Sequence, residues 1–315
     1  MTAKKYQNVW GIDVSKDWID ISINKKVERV LQKRRDMVAF IKKNKLKDQE
    51  VLAVLESTGG YERLTSQVLN DAGIIVHIAH PNKARYYAMA TQRLAKTDAI
   101  DAQVLEDYGR FIDSDNVRPL RSDIEHKLSD VSSRIESLKI NRHQEKCRLY
   151  TSKCKEIERS HERMIKLLDE QITQLTEFLL SLIKSDEALL QRYTLLKSMK
   201  GIGDIVAMTL LADLPELGRL NKKEVAALVG VAPITRESGK KVGHARIRYG
   251  RASVRRMLYV AALVAVRFNK RFMAFYNRLV GAGKSKKLAL IAVARKMAVI
   301  LNAMVQTNTV FKELS

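Results

Sequence analysis

The apolar positions open the chain as strands. Val9 to Ile23 (VWGIDVSKDWIDISI) is an apolar run broken after Val14 and resumed at Trp18, Ile19, Ile21 and Ile23, the pattern of a hairpin with one acid, Asp13, near its middle. VERVLQ (27–32) follows as a third strand, and RDMVAFIKKNK (35–45) has helical spacing with a basic last turn. VLAVLESTGG (51–60) predicts a buried strand ending at Glu56, where Gly59 and Gly60 turn the chain into a helix over YERLTSQVLNDAG. IIVHIA (74–79) is another buried strand, closed by Pro81, and a helical segment bearing Tyr and Arg follows. The period of 95–111 (AKTDAIDAQVLEDYGRF) suits a helix starting near Thr97. Three strands, helix, strand, helix, strand imply a mixed sheet with helices on its faces.

Beyond residue 120 the pattern changes. Between Pro119 and Gly201 there is neither glycine nor proline, so the span reads as helix. Leu128, Val131, Ile135 and Leu138 keep a 3–4 spacing, as do Ile165, Leu168, Ile172, Leu175, Leu179 and Leu182. Polar residues fill the seam at about 139–156, and the two registers are not related by whole heptads. Two helices follow from this, either folded back as a hairpin or paired across a subunit boundary.

The last third, from about 196, is mostly helical. Lys200-Gly201-Ile202-Gly203 lies between two apolar helical runs, like a helix-hairpin-helix. In such a motif, glycines let backbone N–H groups approach a phosphate, although a glycine loop between packed helices needs no ligand. LNKKEVAALVGVAP (220–233) adds a short helix, and two more helices close the chain. The expected organisation is α/β plus all-α: a sheet domain (1–120), a helical coiled-coil connector (121–195) and a basic helical domain (196–315).

Composition narrows the partners. Lys and Arg number 57 against 35 Asp and Glu, a formal charge of +22 over 315 residues, which points to a polyanion and first to nucleic acid. A membrane surface is the rival. The longest apolar runs, such as 257–266, are too short to span, Arg295-Lys296 interrupts the last, and MTAKKYQN lacks the apolar core of a signal peptide; a cytoplasmic protein is expected. Cys147 and Cys154 have neither zinc nor redox spacing. The charge is densest in ITRESGKKVGHARIRYGRASVRRMLY (234–259), where eight Lys or Arg and one acid lie between Arg236 and Arg256. Lys240, Lys241, Arg246, Arg248, Arg251 and Arg255, interleaved with glycines, can approach a phosphodiester backbone closely. Arg251 and Arg255, four apart on a helix, should point the same way.

The acids admit two readings. Asp13 among β-branched and aromatic neighbours needs compensation, either from Lys16 or turn amides, or from a metal. Asp98 and Asp101, three apart in a first helical turn, are favoured there by the helix dipole alone. Side by side, however, they repel unless a divalent cation relieves them, and hard cations such as Mg²⁺ prefer carboxylates plus phosphate oxygens.

The phrases GIDVSK, LESTGG and KTDAIDA, with Asp13, Glu56, Asp98 and Asp101 in that order, resemble the DEDD transposases of bacterial insertion sequences. That family includes the Piv DNA invertase and the bridge-RNA-guided recombinases. The Ser-Gly phrase at Ser238, ahead of a Gly-Arg…Arg helix, also resembles the family. The resemblance implies an RNase H/RuvC-like sheet domain, Mg²⁺ held by the four acids, and attack by Ser238 on a DNA phosphate to give a phosphoserine intermediate. It also implies donor and target DNA, a structured noncoding guide RNA, and a homo-oligomer, dimer or tetramer, whose acids and serine come from different protomers. Such a protein would be bacterial and associated with the nucleoid when active. Two other readings fit the same residues: a RuvC-like junction endonuclease that uses water, and a non-catalytic DNA-binding architectural protein.

Overall fold

The computed structural model describes residues 6–45, 49–93, 95, 97–114, 117, 120–235 and 245–312. The chain separates into two compact units, Met1–Leu120 and Arg121–Ser315.

The first unit runs β1 (Asn8–Val14), β2 (Trp18–Ile23), β3 (Lys26–Leu31), α1 (Arg34–Asn44), β4 (Val51–Glu56), α2 (Glu62–Asp71), β5 (Ile75–Ala79), α3 (Pro81–Ala90) and α4 (Asp98–Phe111). The strands lie in the order β3-β2-β1-β4-β5. The first three pair antiparallel, while β4 and β5 run parallel to β1, as short turns and helical crossovers respectively require. Asn24 and Lys25, both at positive φ (49° and 67°), form the two-residue turn that pairs Ile23 with Lys26.

Alternation along the strands divides the core in two. Trp10, Ile12 and Val14, with Ile19, Ile21 and Leu55, pack on Met37, Phe40, Val68 and Leu69 of α1 and α2. Val9, Leu52 and Val54 point the other way, onto Leu105 and Tyr108 of α4. Two glycines bring α4 down on β1. A Cβ on Gly11 would sit 2.0 Å from the Ala102 carbonyl oxygen, and one on Gly109 would sit 2.5 Å from Val9 Cγ1. These contacts run α4 antiparallel to β1, so its first turn lies beyond Gly11, over the end of β1 that carries Asp13. A buried bond fixes the same packing: Ser22 Oγ donates to Glu106 at 2.7 Å, and Glu106 also accepts from the Lys25 backbone N–H at 3.1 Å and Arg110 at 2.8 Å.

The second unit is α5 (Asp123–Thr151), α6 (Lys155–Lys184), α7 (Glu187–Lys197), α8 (Asp204–Asp213), α9 (Lys222–Val229), β6 (Pro233–Ile234), β7 (Arg246–Ile247), α10 (Ala252–Phe268), α11 (Lys270–Gly281) and α12 (Lys286–Thr307). A Ser122–Glu125 capping box starts α5. Helices α5 and α6 fold back on each other: Glu145 accepts from His161 at 2.6 Å and Arg142 pairs with Asp169. Of the two arrangements left open by their sequence, the chain adopts the hairpin. Their apolar seam, Leu128, Leu138, Ile172 and Ile183, continues into one core with Leu196, Leu211, Val254, Phe272 and Leu301. Residues 121–195 therefore have no core apart from that of the later helices. Helix α12 is long and apolar enough to cross a membrane by length and composition, but Ala289, Val293, Met297 and Leu301 are buried in this core.

Candidate functional site

The acids of the first unit converge at one end of the sheet. Asp13, on the α4 side of β1, pairs in register with Asp20 of β2, and Asp20 pairs in turn with Arg29 of β3. Side chains directly opposite in a ladder share a face, so the three form a row. On the other flank of β1, Ile12 pairs with Leu55, and Glu56 ends β4 one residue later. The turn after Glu56 explains the glycines of LESTGG: Gly59 and Gly60 take φ of 71° and 110°, and Glu62 closes the loop by accepting from the Thr58 and Gly60 N–H groups at 3.1 and 2.8 Å. Asp98 is the first residue of α4, whose N-cap Thr97 accepts from the Ile100 N–H at 3.3 Å.

Carboxylate oxygens of Asp13, Asp20 and Asp98 all lie within 4.8 Å of one another. Burial, then the negative charges of Asp101, Asp98, Glu56 and Asp20, push the Asp13 carboxyl up to about 6. Asp13 and Asp98 of the four expected acids, together with Asp20, thus form the close group, while Glu56 and Asp101 act on Asp13 through their charge. The donors are oxygens only, mutually repelling and close together, a set that fits a hard divalent cation. Asp98 and Asp101 also enjoy the helix dipole, but dipole stabilisation does not account for Asp13, which sits on a strand.

Two members of this site were missed in sequence. Asp20, between Ile19 and Ile21, has the polar place of an alternating strand, and Arg29 lies in the short edge strand β3. The signal was the hairpin itself: a turn centred on Lys16 and Asp17 sets residue 20 opposite residue 13. Asp20 is buried and gripped by Arg29, whose Nε and Nη2 donate to its two oxygens at 2.9 and 2.7 Å.

In the second unit the expected phosphate contacts divide. Ser238, Lys240 and Lys241 lie outside the described residues, in the segment that joins β6 to β7. Arg246 and Arg248 flank that segment and are exposed. Arg251 is the residue before α10, and its side chain bonds within the protein: it holds Glu216 through two bonds of 2.5 and 2.6 Å, with a third to the Asp213 carbonyl at 2.8 Å. Arg255 donates to the Tyr249 carbonyl at 2.6 Å. The helical spacing expected of Arg251 and Arg255 does not apply, because Arg251 precedes α10 in extended backbone, and each guanidinium bonds a different set of the protein's own acceptors. Gly201, at φ +100°, lies against α10, where a Cβ would be 2.8 Å from the Ala261 carbonyl oxygen. Gly203 is the N-cap of α8 and has open space around it, yet the next residue, Asp204, places a carboxylate at that helix start, paired with Lys197 and accepting from Tyr193 at 2.7 Å. No Asp or Glu occurs between Ser238 and Lys312, a longer acid-free span than the loop alone.

Comparison with known proteins gives both units a family. A transposase model of the DEDD IS110 type matches residues 10–152, and the model described as "Transposase IS116/IS110/IS902 family" matches 193–277. The pilin gene-inverting protein of Moraxella lacunata is 28% identical over 269 residues, 82% of this chain and 81% of that protein. The insertion element IS900 42 kDa protein of Mycobacterium paratuberculosis is 31% identical over 120 residues, 36% of this chain and 29% of its own length. The IS116 44.8 kDa protein of Streptomyces clavuligerus is 27% identical over 147 residues, 46% of this chain and 36% of that protein. With the acid cluster inside the first matched region and the basic segment inside the second, the chain belongs to the IS110/IS116/IS902 family of transposases, enzymes of DNA rearrangement.

Proposed function

We propose that this protein cleaves and rejoins DNA strands through a covalent serine ester, with Mg²⁺ held by Asp13, Glu56, Asp98 and Asp101. The observation that carries the reading is the gathering of carboxylate oxygens of Asp13, Asp20 and Asp98 within 4.8 Å at one end of the sheet, where burial and then the charges of Asp101, Asp98, Glu56 and Asp20 push Asp13 up to about 6. The strand order β3-β2-β1-β4-β5, with α4 across β1, supports an RNase H/RuvC-like domain. When bound, the cation supplies electrophilic activation of a phosphate oxygen.

Ser238 is the nucleophile. Its Oγ forms a bond to phosphorus as one deoxyribose oxygen leaves with a proton, and the reverse attack by a deoxyribose hydroxyl restores the phosphodiester without an external energy source. Lys240, Lys241, Arg246 and Arg248 hold the DNA backbone around that serine, while Arg251 and Arg255 anchor the residues after β7 through Glu216 and the Tyr249 carbonyl. At the turn between α7 and α8 a further phosphate would approach the open side at Gly203, with the neighbouring Asp204 carboxylate already paired with Lys197 and Tyr193. The net charge of +22 accommodates a structured guide RNA as well as donor and target DNA, and the protein works as a homo-oligomer.

The test is incubation with donor and target DNA, the element's own transcript and Mg²⁺, followed by denaturation and detection of protein–DNA adduct. Adduct lost on Ser238→Ala and on Asp13→Ala is the expected result. Nicks without adduct would replace the serine ester with hydrolysis by water, and neither nicks nor adduct would leave only DNA binding.

A further inference from the structure

Arg29 stands among the acids as a cation of the protein's own. Its Nη2 donates both to Asp20 at 2.7 Å and to Asp98 at 3.0 Å, so one guanidinium bridges β2 and the first turn of α4. The two contacts are unequal. The Asp20 side chain is 5% exposed and takes two parallel bonds, whereas Asp98 is 51% exposed and takes one. A bidentate pair with a buried carboxylate is hard to break, because the carboxylate would be left uncompensated out of water. A single bond to an exposed one is easily exchanged. Arg29 itself is 54% exposed on an edge strand, its guanidinium 4.8 Å from the Trp18 ring centre, with room to shift.

Asp98 is thus shared. It is one of the three carboxylates gathered within 4.8 Å, and it is also a ligand of Arg29. We propose that Arg29 is a positioning residue of the acid site: it neutralises Asp20 permanently and holds Asp98 until a divalent cation takes that carboxylate from it. The proposal rests on the reading of the acids as a metal site. Two consequences follow. Metal must displace a bond the protein already has and approach a fixed positive charge, so Arg29 weakens metal binding. Without metal, Arg29 holds α4's first turn to the sheet, so it strengthens the fold.

These opposite signs make the test specific. Mn²⁺ is titrated calorimetrically into the full chain and into Arg29→Gln, and Tm is measured with EDTA and with Mn²⁺. The glutamine variant is expected to melt lower in EDTA, to bind Mn²⁺ about fivefold more tightly, and to gain more Tm from the metal than the wild type does. A merely structural arginine would lower Tm without tightening the metal. No Mn²⁺ binding by the wild type would overturn the metal reading and this proposal together. Binding by the wild type with unchanged or weaker affinity in the variant would overturn this proposal alone. Should Arg29→Gln fail to fold, Arg29→Lys keeps the charge but cannot span both acids. It is expected to bind Mn²⁺ about twofold more tightly than wild type, and an affinity at or below wild type overturns the proposal.

Discussion

Asp13 on β1 and Asp20 on β2 are direct cross-strand partners, two carboxylates set opposite each other in an antiparallel ladder. Like charges in that position destabilise a sheet. The protein relieves one of them with the Arg29 guanidinium and leaves the other, Asp13, pushed up to about 6 by burial and by the acids around it. The result is a carboxyl at a strand end whose charged form the fold disfavours.

That strain sets a pH dependence. Asp13 has a higher pKa folded than its ordinary value of 3.8, so its protonated form favours the fold. Its contribution is fully present below about pH 4 and is lost as pH rises through 6. In EDTA, Asp13→Asn should therefore be more stable than wild type at pH 7.5, by about 1–2 kcal/mol after allowance for partial solvent screening, and equal to it near pH 4. Thermal melts at the two pH values check this. With Mg²⁺ present the order at pH 7.5 should reverse, because only the wild type gains from the ion.

Glu106 should behave oppositely. Burial acts to raise its pKa, but bonds from Ser22, Arg110 and the Lys25 N–H outweigh burial and hold it below the usual carboxylate range. Its stabilisation is present above the unfolded carboxylate pKa and is lost as pH falls through the lower folded value. Glu106→Gln should cost about 1–3 kcal/mol at pH 7, measured by denaturant unfolding, with the deficit shrinking in acid.

Gly11 tests the placement of α4. A methyl group there would meet helix backbone at 2.0 Å, which no rotamer change can relieve. Gly11→Ala should destabilise the first unit by about 1–3 kcal/mol, and by lifting α4 it should also weaken metal binding. A stable variant with unchanged Mn²⁺ affinity would show that the close approach of α4 to β1 does not position the acids.

The arginines of the second unit separate by role. Arg246 and Arg248 are exposed, so replacing both with alanine should leave Tm unchanged and lower the slope of log K against log salt for DNA binding by about one per lost phosphate contact. Arg251→Ala leaves Glu216 without its two-bond partner and should cost about 1–3 kcal/mol of stability. A titration of binding against salt and a melt on each variant distinguish the two.

What the chain determined by itself was local. Alternating β-branched residues in VWGIDVSK and VLAVLE, the Thr97 cap ahead of Asp98, and the glycine-free run after Pro119 are signals whose physics lies within a few neighbouring residues, and the strands and helices lie where those signals put them. Asp13, Glu56, Asp98 and Asp101 stood out as a set through the resemblance of the phrases around them to the DEDD transposases, since their local physics left a structural reading open. Tertiary structure decided which charges meet. Asp20 joins the acids only because the hairpin register sets it against Asp13, and Arg29 reaches Asp98 only because Gly11 and Gly109 let α4 settle on β1. Arg251 and Arg255 were expected on one side of a helix, but Arg251 stands before it in extended backbone, and the partners of the two, Glu216 and the Tyr249 carbonyl, come from segments brought together by packing. A side chain's period is written in its neighbours; its electrostatic partner is written in whatever the fold brings beside it.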